Sequence, residues 1–162
     1  MEENSANQQK VRGSYNSKTG WCEISHWKVQ SGRKVFGSLD ITKEFHLSII
    51  THEVAHHFYH LILSQRNETV DRSLHEFVAY VVQIHTMKEP EKTKLLDLWS
   101  GEVFSSFENI NNFTWASDPN RFAVMAYRFF LNHPKIVQSI LDGKVKSCND
   151  ELFKFFHEFW GR

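Results

Sequence analysis

The chain has 162 residues, with 19 basic and 19 acidic side chains and a formal net charge of zero. That length suits a single domain able to bury a real core, and charge this evenly balanced leaves no electrostatic footprint for nucleic acid or an anionic membrane surface. The longest apolar stretch, around residues 77–84, is interrupted by Tyr80 and Gln83 and falls short of a bilayer span.

Residues 1–20 are rich in Ser, Asn, Gln, Lys and Gly, a composition that buries too little apolar area to offset ordering, and so are expected as a flexible arm before a domain over 21–162. The start, MEENSANQQK, is polar and lacks the apolar segment of a signal peptide. It resembles a mature amino terminus with an added Met, so the expected location is exported, periplasmic or secreted, with the cytoplasm as the alternative. Residues 21–29 and 34–39 flank the polar turn Gln30-Ser31-Gly32-Arg33 and read as a β-hairpin. After Asp40 or Thr42, either able to cap a helix, the spacing of Phe45, Ile49, Ile50, Val54, Phe58 and Leu61 predicts one long helix over 42–64. A polar connection follows, then a second helix over 70–87 that is apolar on most of its circumference and therefore buried.

Glu89-Pro90 stops that helix, and Pro90 opens a third carrying Leu95, Leu96, Leu98 and Trp99. Ser117-Asp118-Pro119 repeats the start signal for a helix through Phe122, Met125, Ala126 and Phe129, ended by Asn132-His133-Pro134. A further helix over 134–141 is closed by Gly143. An aromatic-rich helix with Phe153, Phe155, Phe156, Phe159 and Trp160 is expected from residue 149. The fold class is α+β and mainly helical, a short hairpin packed on two antiparallel helices and a carboxy-terminal bundle. Cys22 and Cys148 have no CxxC spacing. A disulfide between them would contribute about 4 to 5 kcal/mol on the chain-entropy model, and two unpaired buried thiols are the other reading.

Of ten histidines, five lie between His46 and His60. Within that cluster, His52, Glu53 and His56 form a His-Glu-x-x-His motif inside the first long helix. Residues i and i+4 differ by about 40° around a helix and about 6 Å along it, so both imidazoles can bind one ion. Zn2+ takes neutral imidazole nitrogen readily and keeps an open position for water in catalytic sites. Glu53 points about 100° from His52, close enough for its carboxylate to accept a proton from such a water. His60 shares the face of His52 but lies about 12 Å along the axis, so His57 and His60 are packing residues rather than ligands. From His56 the helix runs about 12 Å to Ser64, and an antiparallel second helix returns about 9 Å by Glu76. Glu76 is therefore the favoured third ligand, ahead of His75, with Asp118, His133 and His157 remaining.

HEVAH followed by a helical Glu resembles the gluzincin zinc peptidases such as thermolysin. That resemblance implies His52, His56 and Glu76 as zinc ligands, Glu53 as general base, and a peptide or protein as substrate. The Asp that gluzincins carry four residues after the ligand Glu is here Tyr80, which leaves no orienting carboxylate assigned. LHEFVAYVVQ and FAVMAYRFFLNHP also resemble an uncharacterised family of small exported bacterial proteins, over most of residues 35–141. A peptidase needs a donor for the tetrahedral oxyanion. Tyr127 is the candidate taken forward, with Tyr80, His133 and His157 as alternatives, and the edge at 35–39 is the expected support for a substrate backbone. The competing expectation is a catalytically silent zinc-holding or protein-binding module with the same zincin-like fold.

Overall fold

The computed structural model describes residues 13–147. Most of the expected arm, Cys148, His157 and the aromatic-rich last segment lie outside the described residues.

The first pair of strands is displaced: one lies within the run expected over 21–29, and its partner falls where none was expected. Gly13–Asn16 (β1) pairs antiparallel with Trp21–Ile24 (β2), with Gly13 opposite Ile24 and Asn16 opposite Trp21. Asn16 builds the turn: its Oδ1 accepts from Lys18 N at 3.0 Å, its carbonyl accepts from Gly20 N at 2.8 Å, and Gly20 takes a φ of 71°. Such side-chain capping and a left-handed glycine are what a tight turn asks for. Part of the expected arm is therefore a hairpin. The hairpin expected over 21–39 is instead divided. Trp27–Gln30 (α1) is a single helical turn, and only Lys34–Val35 (β3) and Leu39–Asp40 (β4) pair, across a loop in which Phe36 and Gly37 have φ of 47° and 79°. Polar-flanked β-like composition was misleading here because His26 caps the turn of α1, its Nδ1 accepting from Lys28 N at 3.2 Å.

The two long helices form as expected. Lys43–Arg66 (α2) is capped by Thr42, whose Oγ1 accepts from Phe45 N at 3.1 Å. It ends on Asn67 in the left-handed region, whose N–H returns to Leu63 and Ser64. Arg72–Thr86 (α3) runs back beside it and also packs on Pro119–Asn132 (α6), so α3 is the middle helix of three. Glu91–Asp97 (α4), Asn112–Ser117 (α5) and Lys135–Leu141 (α7) close the ends. Arg128 of α6 fastens the turn after α4 by donating to the carbonyl oxygens of Leu96, Trp99 and Glu102.

Two core clusters flank α3. One joins Tyr59, Leu63, Leu74, Phe77, Phe107, Phe122 and Phe129, and the other Val35, Ile41, Phe45, Ile49, Ile84, Leu95 and Tyr127. The buried stripe of α2 runs Phe45, Ile49, His52, His56, Tyr59, Leu63. The apolar residues Val54, Phe58 and Leu61, expected on that stripe, are instead exposed by 38, 61 and 42%. The helix thus buries three histidines, His46, His52 and His56, the last two at rungs that an ordinary amphipathic helix fills with Leu or Ile. Among the described residues no helix is long and apolar enough to cross a membrane.

Candidate metal centre

One α2 turn separates His52 from His56, and the return of α3 brings Glu76 level with them. The two Nε2 atoms are 3.1 Å apart, and Glu76 Oε2 lies 3.5 Å from that of His52 and 3.7 Å from that of His56. Bonds of about 2.0–2.1 Å to a tetrahedral zinc place neighbouring donors roughly 3.3–3.4 Å apart, and the three spacings straddle that value. His52 and His56 are 9 and 8% exposed. The set has two imidazole nitrogens and one carboxylate oxygen, the donor chemistry of an open three-ligand site. His52, His56 and Glu76 are close enough together to hold a metal ion.

The charges suit a cation. Burial alone would raise the Glu76 carboxyl, but the imidazoles of His52 and His56 beside it outweigh burial and hold the group at about 2, as an anion. Burial pushes His52 down from the usual imidazole value, against the opposing pull of Glu76, which favours the neutral, ligating form. Arg72 Nε, on the exposed rim, lies 3.9 Å from Glu76 Oε1.

The other histidines take the surrounding places. His75 packs its ring on Tyr59 at 4.6 Å and on His56 at 6.0 Å, and burial, reinforced by His56 and His60, lowers it to about 4. His57 and His60 lie 5.9 and 5.8 Å from the Tyr15 ring of β1, and His60 also meets Ser64 Oγ at 3.3 Å. His133 stacks on Phe129 at 4.4 Å. Asp118 caps α6, its Oδ1 accepting from Asn120 N and Arg121 N. None of these joins the donor cluster.

Glu53 is 6% exposed, and burial raises its carboxyl to about 7, opposed by His56 and assisted by Glu76. It sits at a cleft of about 150 Å³ lined by Gly13, Val35, Phe36, Ile49, His52, Tyr80, Gln83 and Asn120. The region around the 35–39 edge thus borders the site through Val35 and Phe36. Phe36 keeps its left-handed backbone because its ring is held by Phe45 at 5.6 Å and Trp99 at 6.3 Å. Tyr80 lays its ring on His52 at 4.5 Å. Tyr127 is not among the cleft-lining residues. Its ring neighbours are His85 at 6.4 Å and Phe130 at 6.2 Å, with the Lys92 ammonium 5.3 Å above it.

Gly13, Gln83 and Asn120 are site residues that sequence reasoning passed over. Gly13 lay in the segment taken for an arm, and Asn120 read only as part of a helix start. The β1–β2 hairpin rests on α2, with the Cys22 thiol donating to the Glu53 carbonyl at 3.5 Å. A Cβ at Gly13 would fall 2.6 Å from Glu53 Oε1 and 2.9 Å from Cγ. Gly13→Ala is therefore expected to swing the Glu53 carboxylate out of its place while zinc affinity stays within about threefold of the native protein, since no ligand is touched. Zinc titration beside peptide turnover checks it, and unchanged turnover would refute the contact.

No curated protein matches the chain, and no solved structure matches it. The model of a family of unknown function, DUF6639, matches residues 1–149, and the chain belongs to that family.

Proposed function

We propose that the chain is a zinc-dependent peptide hydrolase with a small, zincin-like arrangement of the gluzincin kind. The observation that carries this reading is the triad of buried His52 and His56 and half-buried Glu76 at tetrahedral spacing, with Glu53 beside it. Zinc bound there supplies Lewis-acid polarisation of a peptide carbonyl and acidification of a water. Glu53 takes the proton of that water and delivers it to the leaving amine, and its raised proton affinity suits a group that must do both. Tyr80 and Asn120 line the cleft and are the side chains available to donate to the developing oxyanion. Tyr127, with His85 and Lys92 around its ring, is left a packing role.

A zinc-holding module without turnover is the second reading. The backbone of Gly13 packed against the Glu53 carboxylate favours it, because substrate and water need the same space. Metal analysis of the purified protein, followed by digestion of a peptide library, tests both. The hydrolase reading expects one zinc per chain and cleavage that a chelator stops and added zinc restores. Zinc without cleavage leaves the holding module, and a protein that takes up no zinc overturns both.

A further inference from the structure

A ligating histidine gives one ring nitrogen to the ion and donates the N–H of the other to an acceptor, which fixes the tautomer and the ring angle. His52 turns Nε2 toward His56 and Glu76, so with an ion on Nε2 the hydrogen must sit on Nδ1. That atom is buried and has no partner at hydrogen-bonding distance. The carboxylate that would ordinarily receive it is missing from α3, where position 80 is a tyrosine.

Two buried polar side chains lie on this part of the helix pair. Gln83, seven residues after Glu76 and so on nearly the same face of α3, is 3% exposed. Ser48, four residues before His52 on α2, is 4% exposed. Their hydrogen bonds have a direction. Ser48 Oγ lies 2.7 Å from the Phe45 carbonyl oxygen, which has no proton to give, so the hydroxyl donates there. With its only proton committed, Ser48 Oγ must accept from Gln83 at 3.1 Å, and the atom it meets must be the amide nitrogen. The amide orientation is thereby set by the network, which leaves Oε1 as the free acceptor. Gln83 borders the same cleft as His52, and where burial lowers that imidazole Gln83 pulls it back up.

We propose that Gln83 is the positioning residue of the metal site, its Oε1 closing on the Nδ1–H of His52. With that contact made, the sequence from the Phe45 carbonyl through the Ser48 hydroxyl and the Gln83 amide selects the His52 tautomer with a free Nε2 lone pair. Gln83 touches neither ion nor substrate, and it acts through the ring. The neutral amide replaces the usual carboxylate, so the orienting bond adds no third buried negative charge beside Glu53 and Glu76. The purpose of this network rests on the zinc reading, but its existence does not.

Two readouts on the full chain test it. The first is zinc affinity by competition with a chromophoric chelator. Gln83→Met, close in shape, is expected to weaken zinc about 10–100-fold. Gln83→Glu, which restores an acceptor, is expected within about threefold of native by the same reasoning, and Ser48→Ala, which frees the amide to turn over, between the two. The second readout needs no metal: ring 15N–1H correlation spectra above the imidazole titration range. Nδ1–H is expected at His52 in the native protein and in Gln83→Glu, and a shift toward the Nε2–H form in Gln83→Met. Native zinc affinity in Gln83→Met with an unmoved tautomer overturns the proposal, as does an Nε2–H His52 in the native protein. If the native chain binds no zinc, the zinc reading fails alone and the tautomer still decides the role of Gln83. Thermal unfolding of each variant separates misfolding from loss of orientation.

Discussion

Glu76→Gln is expected to abolish zinc binding at concentrations that saturate the native protein. The substitution preserves shape and burial but replaces an anion, held as such by His52 and His56, with an amide that binds zinc poorly. Ligand linkage provides a measurement independent of activity. At zinc one hundredfold above its dissociation constant, the native fold gains about 2.7 kcal/mol, roughly 5–11 °C in Tm for a domain of this size. Glu76→Gln should gain almost nothing. His75→Ala, one residue away but packed on Tyr59, should keep most of the native gain. Equal gains in Glu76→Gln and native protein would remove Glu76 from the ligand set, and a loss confined to His75→Ala would move the third ligand there.

Glu53→Gln separates the two functional readings, because it leaves all three donors in place. If Glu53 is the general base, turnover falls by about 10²–10⁴-fold while zinc affinity changes little. The variant should fold at least as well as the native chain, since a buried carboxylate becomes a neutral amide of the same shape. Stability, metal content and turnover should therefore move separately. A variant with intact turnover would exclude Glu53 as the base, and no turnover in either form returns the protein to zinc holding. The residue to watch beside it is Gly13, whose missing Cβ is what lets the Glu53 carboxylate lie where it does.

Helices α2, α3, α4, α6 and α7 and the donor set were legible in the sequence for local reasons, whereas α1 and α5 were not. Thr42, Asn132-His133-Pro134 and the Pro119 start are punctuation within one or two turns, and His52, Glu53 and His56 are a spacing on one helix. Glu76 required one step more, the return length of α3 against α2, and the two helices are regular enough for that arithmetic to hold. The hairpin was misread because β1 is polar and follows a polar segment; its order comes from packing on α2 and from the Asn16 turn, neither visible in composition. The face of α2 was read from Val54, Phe58 and Leu61, yet the helix buries His52, His56 and Tyr59. Apolar count favoured one face, and the match to α3 chose the other. Gln83 stood in plain view on the Glu76 face, but its meaning depends on the proton of Ser48, thirty-five residues earlier.

On the buried face of α2, His52 and His56 stand between Ile49 and Tyr59, and they carry two of the three donor atoms. Under the zinc reading the seam between α2 and α3 has a polar gap that only the ion completes, so metal supply and folding draw on the same free energy. In a cell short of zinc the opened seam would be exposed to proteolysis, and the amount of this protein, not merely its activity, would follow the metal.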